Sequence, residues 1–137
     1  MEAGMNVELV SPEQVLWSGE ATQVVTRTLD GDIAFLEGHA PFLGALAVGV
    51  VQIWPAGSSE PIRAAVHGGF IEVSSNTVSV LSDIAELSAD IDVERARAAV
   101  AGATAILEID EHDAVAAVAL QRAEIRLVAA GENAEAH

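Results

Sequence analysis

Cysteine is absent from these 137 residues, and with it every disulfide and every thiolate ligand or nucleophile. Lysine is absent as well, so all positive charge rests on six arginines, set against twenty-one acids for a net charge of −15. Such a surface repels phosphodiesters and anionic head groups, which proteins hold with cations, and a nucleic-acid role is excluded on that ground. No stretch approaches the roughly 18 uninterrupted apolar residues of a membrane helix. The segment Met1 to Val10 carries Glu2 and Glu8 but no basic residue, unlike a signal peptide. The expectation is a soluble protein of the cell interior, and with 51% apolar residues it has enough to build one core.

What is present divides at about residue 91. Up to Ser88 the chain runs in short, β-branched, glycine-punctuated pieces; from Ile91 onward it is alanine-rich and free of proline. Strand patterns cover Asn6 to Val10, Glu20 to Thr28, Ile33 to Leu36, Val48 to Trp54, Ile62 to His67, Gly69 to Val73 and Thr77 to Leu81. Asp30-Gly31-Asp32 and Ser74-Ser75-Asn76 read as tight turns, Gly38-His39-Ala40-Pro41 as a break, and Pro55 to Ser59 as a loop. Many short strands with brief connections argue for an antiparallel sandwich or barrel.

The tail reads as two helices. Asp92 is a good N-cap with Glu94 in the first turn, and Val93, Ala96, Val100, Ala103 and Leu107 form one apolar stripe. Glu108 to Asp113 is an acidic turn. The second helix spans about Ala114 to Ala130, with Val115, Val118 and Ile125 expected on its buried face and Gly131 as its stop. Alanine and valine stripes bury few methylenes, at about 0.8 kcal/mol each, so the hairpin is expected to dock weakly. Residues after about 131 are expected to fray.

The charge is unevenly placed: residues 1–90 hold twelve acids and two arginines (Arg27, Arg63), residues 91–137 nine acids and four arginines. Any anion site is therefore sought on the helices. Arg122 and Arg126 stand one turn apart on one face, a spacing suited to forked contacts with phosphate oxygens. The alternative is that they pair with Glu86, Asp90 or Glu124 and keep their heads in water. Asp92 is likewise either a ligand contact or only a cap. His39 and His67 lack a neighbouring nucleophile and read as structural, and His112 in an acidic turn reads as solvated. Asp30 and Asp32 flank a turn glycine and offer no cleft for paired-carboxylate chemistry. No nucleophile elbow or phosphate loop is present. The run Ala40 to Val51 is apolar enough that most of it is assigned to the core, with a remainder suited to an interface.

Taken in order, these motifs resemble a known family. Thr28-x-Asp30-Gly31-Asp32, Gly38-His39-Ala40-Pro41, Leu46-x-x-Gly49-Val50-Val51-x-Ile53, His67-Gly68-Gly69-Phe70-x-Glu72-Val73, Asn76-x-Val78-x-Val80-Leu81, Ala85-Glu86 and Ile91-Asp92-x-x-Arg95-Ala96 together resemble the epsilon subunit of bacterial rotary, proton-translocating ATP synthases, over roughly residues 6 to 128. The resemblance implies an N-terminal ten-stranded antiparallel β-sandwich (residues 1–88) followed by a C-terminal antiparallel two-helix hairpin (residues 89–137). It implies a non-catalytic rotor subunit of the central stalk, peripheral on the cytoplasmic face of the bacterial cell membrane. The implied partners are the gamma subunit, the membrane ring of subunit c and, through an extended hairpin, the catalytic alpha and beta subunits. Asp30, Gly31, His39, Pro41, Phe42 and Leu43 are the interface candidates. Glu86, Ile91, Asp92, Arg95, Ala96, Arg122 and Arg126 match the nucleotide-binding motif, which implies ATP as a regulatory ligand without metal dependence. One departure is that Ala98 to Gly102 supplies no further basic residue, which lowers the expected affinity. The sparse cations of the tail also imply weak inhibition of hydrolysis. The competing readings are a freestanding ATP-sensing module and a small β-sandwich hydrolase; co-purification with gamma separates them from the first.

Overall fold

The computed structural model describes residues 4–132. Seven strands come first: β1 (Met5–Val10), β2 (Val15–Thr28), β3 (Gly31–Leu36), β4 (Phe42–Pro55), β5 (Ile62–Ser74), β6 (Thr77–Leu81) and β7 (Ala85–Leu87). A 3-10 turn at Ser88–Asp90 leads into α1 (Val93–Ile109) and α2 (Ala114–Ala129). The residues expected to fray after 131 lie, beyond Glu132, outside the described ones.

The strands follow the order β1-β6-β5-β4-β2-β3, and β1 also pairs with β2, so five strands close into a ring while β3 and β7 attach to β2 and β5. All pairings are antiparallel except β1 with β6, which run parallel from Asn6↔Thr77 to Val10↔Leu81. A parallel neighbour needs a long connection, and here the entire intervening chain supplies it.

Seven strands replace the ten expected. The ten were implied by the resemblance; the pieces read on either side of Gly68 are one strand with a bend in it. Gly68 and Gly69 adopt φ of +96° and +119°, yet β5 runs through them and pairs with β4 on both sides of the bend. A Cβ on Gly69 would lie 2.0 Å from the Leu81 carbonyl oxygen, so glycine is required there for strand β5 to cross so close to the end of β6. The Ser82 hydroxyl, 2.7 Å from the Gly68 carbonyl, fastens the bend. Likewise β2 has register shifts against β4 between Ala21 and Gln23 and between Val25 and Thr28 without breaking.

The turns are also resolved. Thr28 pairs with Gly31, so Leu29 and Asp30 form the two-residue loop, and Gly31 follows at φ +122° rather than occupying the turn centre. Ser75 and Asn76, at φ +51° and +61°, form the mirror-image turn that suits a tight hairpin.

Period-two alternation sends Val7, Leu9, Val24, Ile53, Val66, Ile71, Val78 and Val80 inward around Phe35. The apolar run from Ala40 to Val51 contributes less to this core than expected. Only Leu46, Gly49 and Val51 are buried, because β4 alternates between the core and an outer face; its first residues pair with β5, with Phe42 against the core edge and Leu43 exposed.

Helix α1 begins where its cap predicts, with Asp92 Oδ1 accepting from the Arg95 N–H at 3.1 Å. Asp113 caps α2 in the same way through the Ala116 N–H. Gly131 closes α2 at φ +87°, with the Glu132 N–H reaching the Leu127 carbonyl and the Gly131 N–H the Val128 carbonyl. The helices meet along Ala96, Val100, Ala123 and Leu127, with Val93 and Leu120 beside them. The second-helix face differs from expectation: Val115 is 81% exposed and Val118 is exposed too, while Ala116, Ala123, Leu127 and Ala129 are buried. In so alanine-rich a helix more than one stripe has helical spacing, and volume alone selected the wrong one. Ile125 does pack inward. No described helix is long and apolar enough to cross a membrane.

Candidate functional site at the seam between hairpin and sheet

Alternation along β5 places Ala64 and Val66 in the core and leaves Arg63, Ala65 and His67 on the outer face. Helix α2 covers that face. Ala65 packs with Ile91 and Ala129, flanked by Val50, Ile125 and Ala130. Three alanines supply half of this seam, beside Ile91, Ile125 and Val50.

Beside it lies a cleft of about 350 Å³ lined by Glu86, Asp90, Asp92, Arg95, Ala96, Ala99 and Arg126. Five of the seven nucleotide-motif candidates thus converge. Glu86 comes from β7, Asp92, Arg95 and Ala96 from the start of α1, and Arg126 from α2. The other two stand apart. Ile91 is buried in the seam as packing, and Arg122 borders a separate shallow depression with Ala114, Val115, Val118 and Ala119.

Arg126 Nε lies 2.5 Å from Glu86 Oε1, with both side chains about one-third exposed (30% and 33%). This is the pairing weighed as the alternative to phosphate contact. The Arg95 guanidinium has no ion-pair partner among the described residues, and the Arg122 Nε is buried without a hydrogen-bond partner. Three carboxylates against two guanidiniums make the cleft net acidic.

His67 sits under α2 with a side-chain exposure of 0% and both ring nitrogens lacking a hydrogen-bond partner. Its Nε2 is 3.8 Å from Glu86 Oε1, too far to bond. Burial, reinforced by the positive charges of Arg126 and Arg122 and opposed by Glu86, pushes its pKa down to about 4. Sequence reasoning took His67 as structural and did not join it to the cleft; strand alternation from Ala65 was the signal available. Arg97 was also passed over. It bonds Glu94 at 2.7 Å and also Glu132, which ties the start of α1 to the end of α2.

The interface candidates gather elsewhere, at one end of the strands. His39 hydrogen-bonds through Nδ1 with the Ala40 carbonyl at 2.7 Å, and its ring stands edge-on to Phe35 at 4.7 Å. Phe42 stacks at a tilt on Phe35. Gly38 donates to Asn76 Oδ1, whose Nδ2 donates to the Gly4 carbonyl, so one side chain holds two neighbouring segments. Leu43 is 70% exposed, and Leu36 at the end of β3 is exposed too. Asp30 and Gly31 belong to the β2–β3 turn, where Thr28 Oγ1 accepts from the Asp30 N–H.

Residues 4–88 match the model of the ATP synthase delta/epsilon chain β-sandwich domain. The ATP synthase epsilon chain of Thermobifida fusca is 52% identical over 99 residues, covering 71% of this chain and 72% of that one. The epsilon chain of Streptomyces griseus is 48% identical over 127 residues, covering 93% and 95%. Among solved structures, a chain of the Euglena gracilis mitochondrial ATP synthase (OSCP/F1/c-ring) superposes with a TM-score of 0.70 at 22% identity, over 93% of this chain and 77% of that one. A chain of the Tetrahymena thermophila mitochondrial central stalk and c-ring gives 0.54 at 17% identity over 71% and 72%, and both establish a shared fold. By the family model and by identity over nearly its whole length, the chain belongs to the ATP synthase delta/epsilon family.

Proposed function

We infer that the chain is a non-catalytic central-stalk subunit of a rotary ATP synthase. The observation that carries this is the 48% identity to an ATP synthase epsilon chain across 93% of the sequence. The fold fits the role: a closed sheet bearing a two-helix appendage, with exposed apolar residues at one end.

In this reading the end bearing Leu36, Phe42 and Leu43 docks on the membrane ring, and the sheet carries gamma. Exposed apolar side chains support an interface there. The complex acts at the cytoplasmic face of a bacterial membrane, where proton-driven rotation of the ring reaches the catalytic subunits through gamma. The test is co-expression with gamma followed by capture of either partner. A stable pair that restores ATP-driven proton pumping to membranes lacking this subunit is expected. A chain that stays monomeric beside folded gamma overturns the reading and favours a freestanding module.

The hairpin is proposed as a mobile regulatory element that leaves the sheet and reaches the alpha and beta subunits, with ATP as a ligand of the docked form. Convergence of Glu86, Asp92, Arg95, Ala96 and Arg126 on one cleft supports the ATP reading. Its three carboxylates, and the engagement of Arg126 by Glu86, argue for weak affinity. Calorimetric titration with magnesium-free ATP tests it: heat that is lost in the Arg122→Ala, Arg126→Ala double variant supports the site, and no heat at millimolar ATP removes it.

A further inference from the structure

A buried histidine between two moving parts is a different feature from a ligand cleft. His67 lies on the outer face of β5, wholly enclosed, with neither ring nitrogen hydrogen-bonded. The charged groups that act on it are Glu86 from β7 and Arg126 and Arg122 from α2. Arg63 shares this face of β5, toward Ile125 and Val128 of α2, which also carries Glu124; β4 presents Val48 opposite, and the Ile84 carbonyl receives the His67 backbone N–H. The ring is therefore held neutral by the docking of α2, which both excludes water and brings two guanidiniums near.

We propose that His67 is a proton-operated lock on the hairpin: protonation of its ring, which the docked helix cannot accommodate, drives α2 off the sheet. The inference rests on the reading that the hairpin can leave the sheet as a unit. A third cation beside Arg122 and Arg126, on a side chain shielded from solvent, has only Glu86 to oppose it, and Glu86 is already bonded to Arg126. Once α2 leaves, the ring is hydrated and proton uptake is unhindered.

The direction follows from linkage. The docked ring titrates near 4 and a solvated histidine near 6.5, so docking is fully favoured above about pH 6.5 and weakens as pH falls from there toward 4. Between pH 7.5 and 5.5 the constant for release rises about tenfold. Ordinary carboxylates stay ionised throughout that interval.

The absence of native cysteine makes the experiment direct. Cysteines introduced at exposed Glu60 on the sheet side and exposed Gln121 on α2 carry a donor and an acceptor dye. Energy transfer then reads hairpin release in the full chain across a urea series, while Trp17 and Trp54, both in strands, report whether the sheet remains folded. The expected result is a release constant about tenfold larger at pH 5.5 than at 7.5, and one independent of pH in His67→Gln. Release that is equal at both pH values, or a His67→Gln variant that keeps the tenfold change, overturns the lock while leaving hairpin mobility standing. Loss of transfer only together with tryptophan unfolding at both pH values overturns mobility and the lock together. Where His67→Gln fails to dock at pH 7.5, Arg122→Gln serves instead: a smaller pH effect is expected, and an undiminished one counts against the proposal.

Discussion

Arg126 reaches from the second helix to set its Nε 2.5 Å from the Glu86 carboxylate on β7, joining residues 40 apart across the seam between helix and sheet. Both side chains are about two-thirds covered, so the pair is neither a free surface bridge nor a fully desolvated one. Glu86→Gln removes the charge and keeps the shape. After discounting for solvent screening, about 1 kcal/mol of docking free energy is expected to be lost. Faster hydrogen exchange in α2, with unchanged exchange in β4, is the corresponding readout; equal exchange in both variants would assign the bridge no role in docking.

The cap of α1 is a second point of local control. Asp92 alone supplies the side-chain acceptor at that helix start. Asp92→Ala is expected to cost about 1 kcal/mol of hairpin stability, and Asp92→Asn far less, because the amide oxygen still accepts. Thermal melts followed by helical circular dichroism distinguish the two variants.

Two glycines give a sharper contrast. Gly69→Ala would thrust a methyl group into the Leu81 carbonyl at a positive φ, and a loss of about 4 kcal/mol or more is expected. Gly38→Ala also meets a positive φ but has open space around it, so about 1 kcal/mol is expected. Urea unfolding measures both, and similar costs would mean that β5 can shift away from β6.

Arg27 Nε donates to Asp32 Oδ1 at 2.8 Å across the β2–β3 pair, and this holds the Asp32 carboxyl below its ordinary 3.8. The resulting stability is present above 3.8 and disappears as pH falls through the lowered folded value. Arg27→Ala is expected to return the Asp32 titration, followed by NMR, to about 3.8. A midpoint that does not move would assign the shift to another group.

Deleting residues 92–137 from the assembled enzyme at neutral pH is expected to leave its ATP hydrolysis rate nearly unchanged. The tail carries nine acids against four arginines from residue 91 on, a poor match for acidic catalytic subunits. A several-fold rise on truncation would show that the extended hairpin inhibits through contacts other than charge.

How much of this was written in the sequence depends on how local the signal is. The start of α1 at Asp92 and the end of α2 at Gly131 were legible because capping involves neighbours only. The face of α2 was not. Val115 and Val118 are larger than Ala116, Ala123 and Ala129, yet the buried face is the one that carries these alanines together with Leu127 and Ile125, against Ala65 and α1. The continuity of β5 was missed for a related reason. Gly68-Gly69 reads as an ending in one dimension, and only the passage of β6 beside it shows it to be a bend. Within the cleft, Glu86, Asp92, Arg95, Ala96 and Arg126 were identified through family resemblance. The place of His67 was not, since its surroundings come from β7 and from a helix more than fifty residues away.

The ring formed by β1, β2, β4, β5 and β6 has a mechanical corollary. An open sheet loaded at one edge can peel one hydrogen bond at a time, beginning at the free strand. A hoop has no free edge strand to start from, so a twisting load is shared around its circumference, and yielding requires a whole interior ladder to part. The parallel β1–β6 contact, which brings the first strand back to the sixth, is the clasp of that hoop. A part that must pass on rotation without winding up gains from such stiffness, and β3, outside the hoop, is still anchored to it through Phe35 in the core.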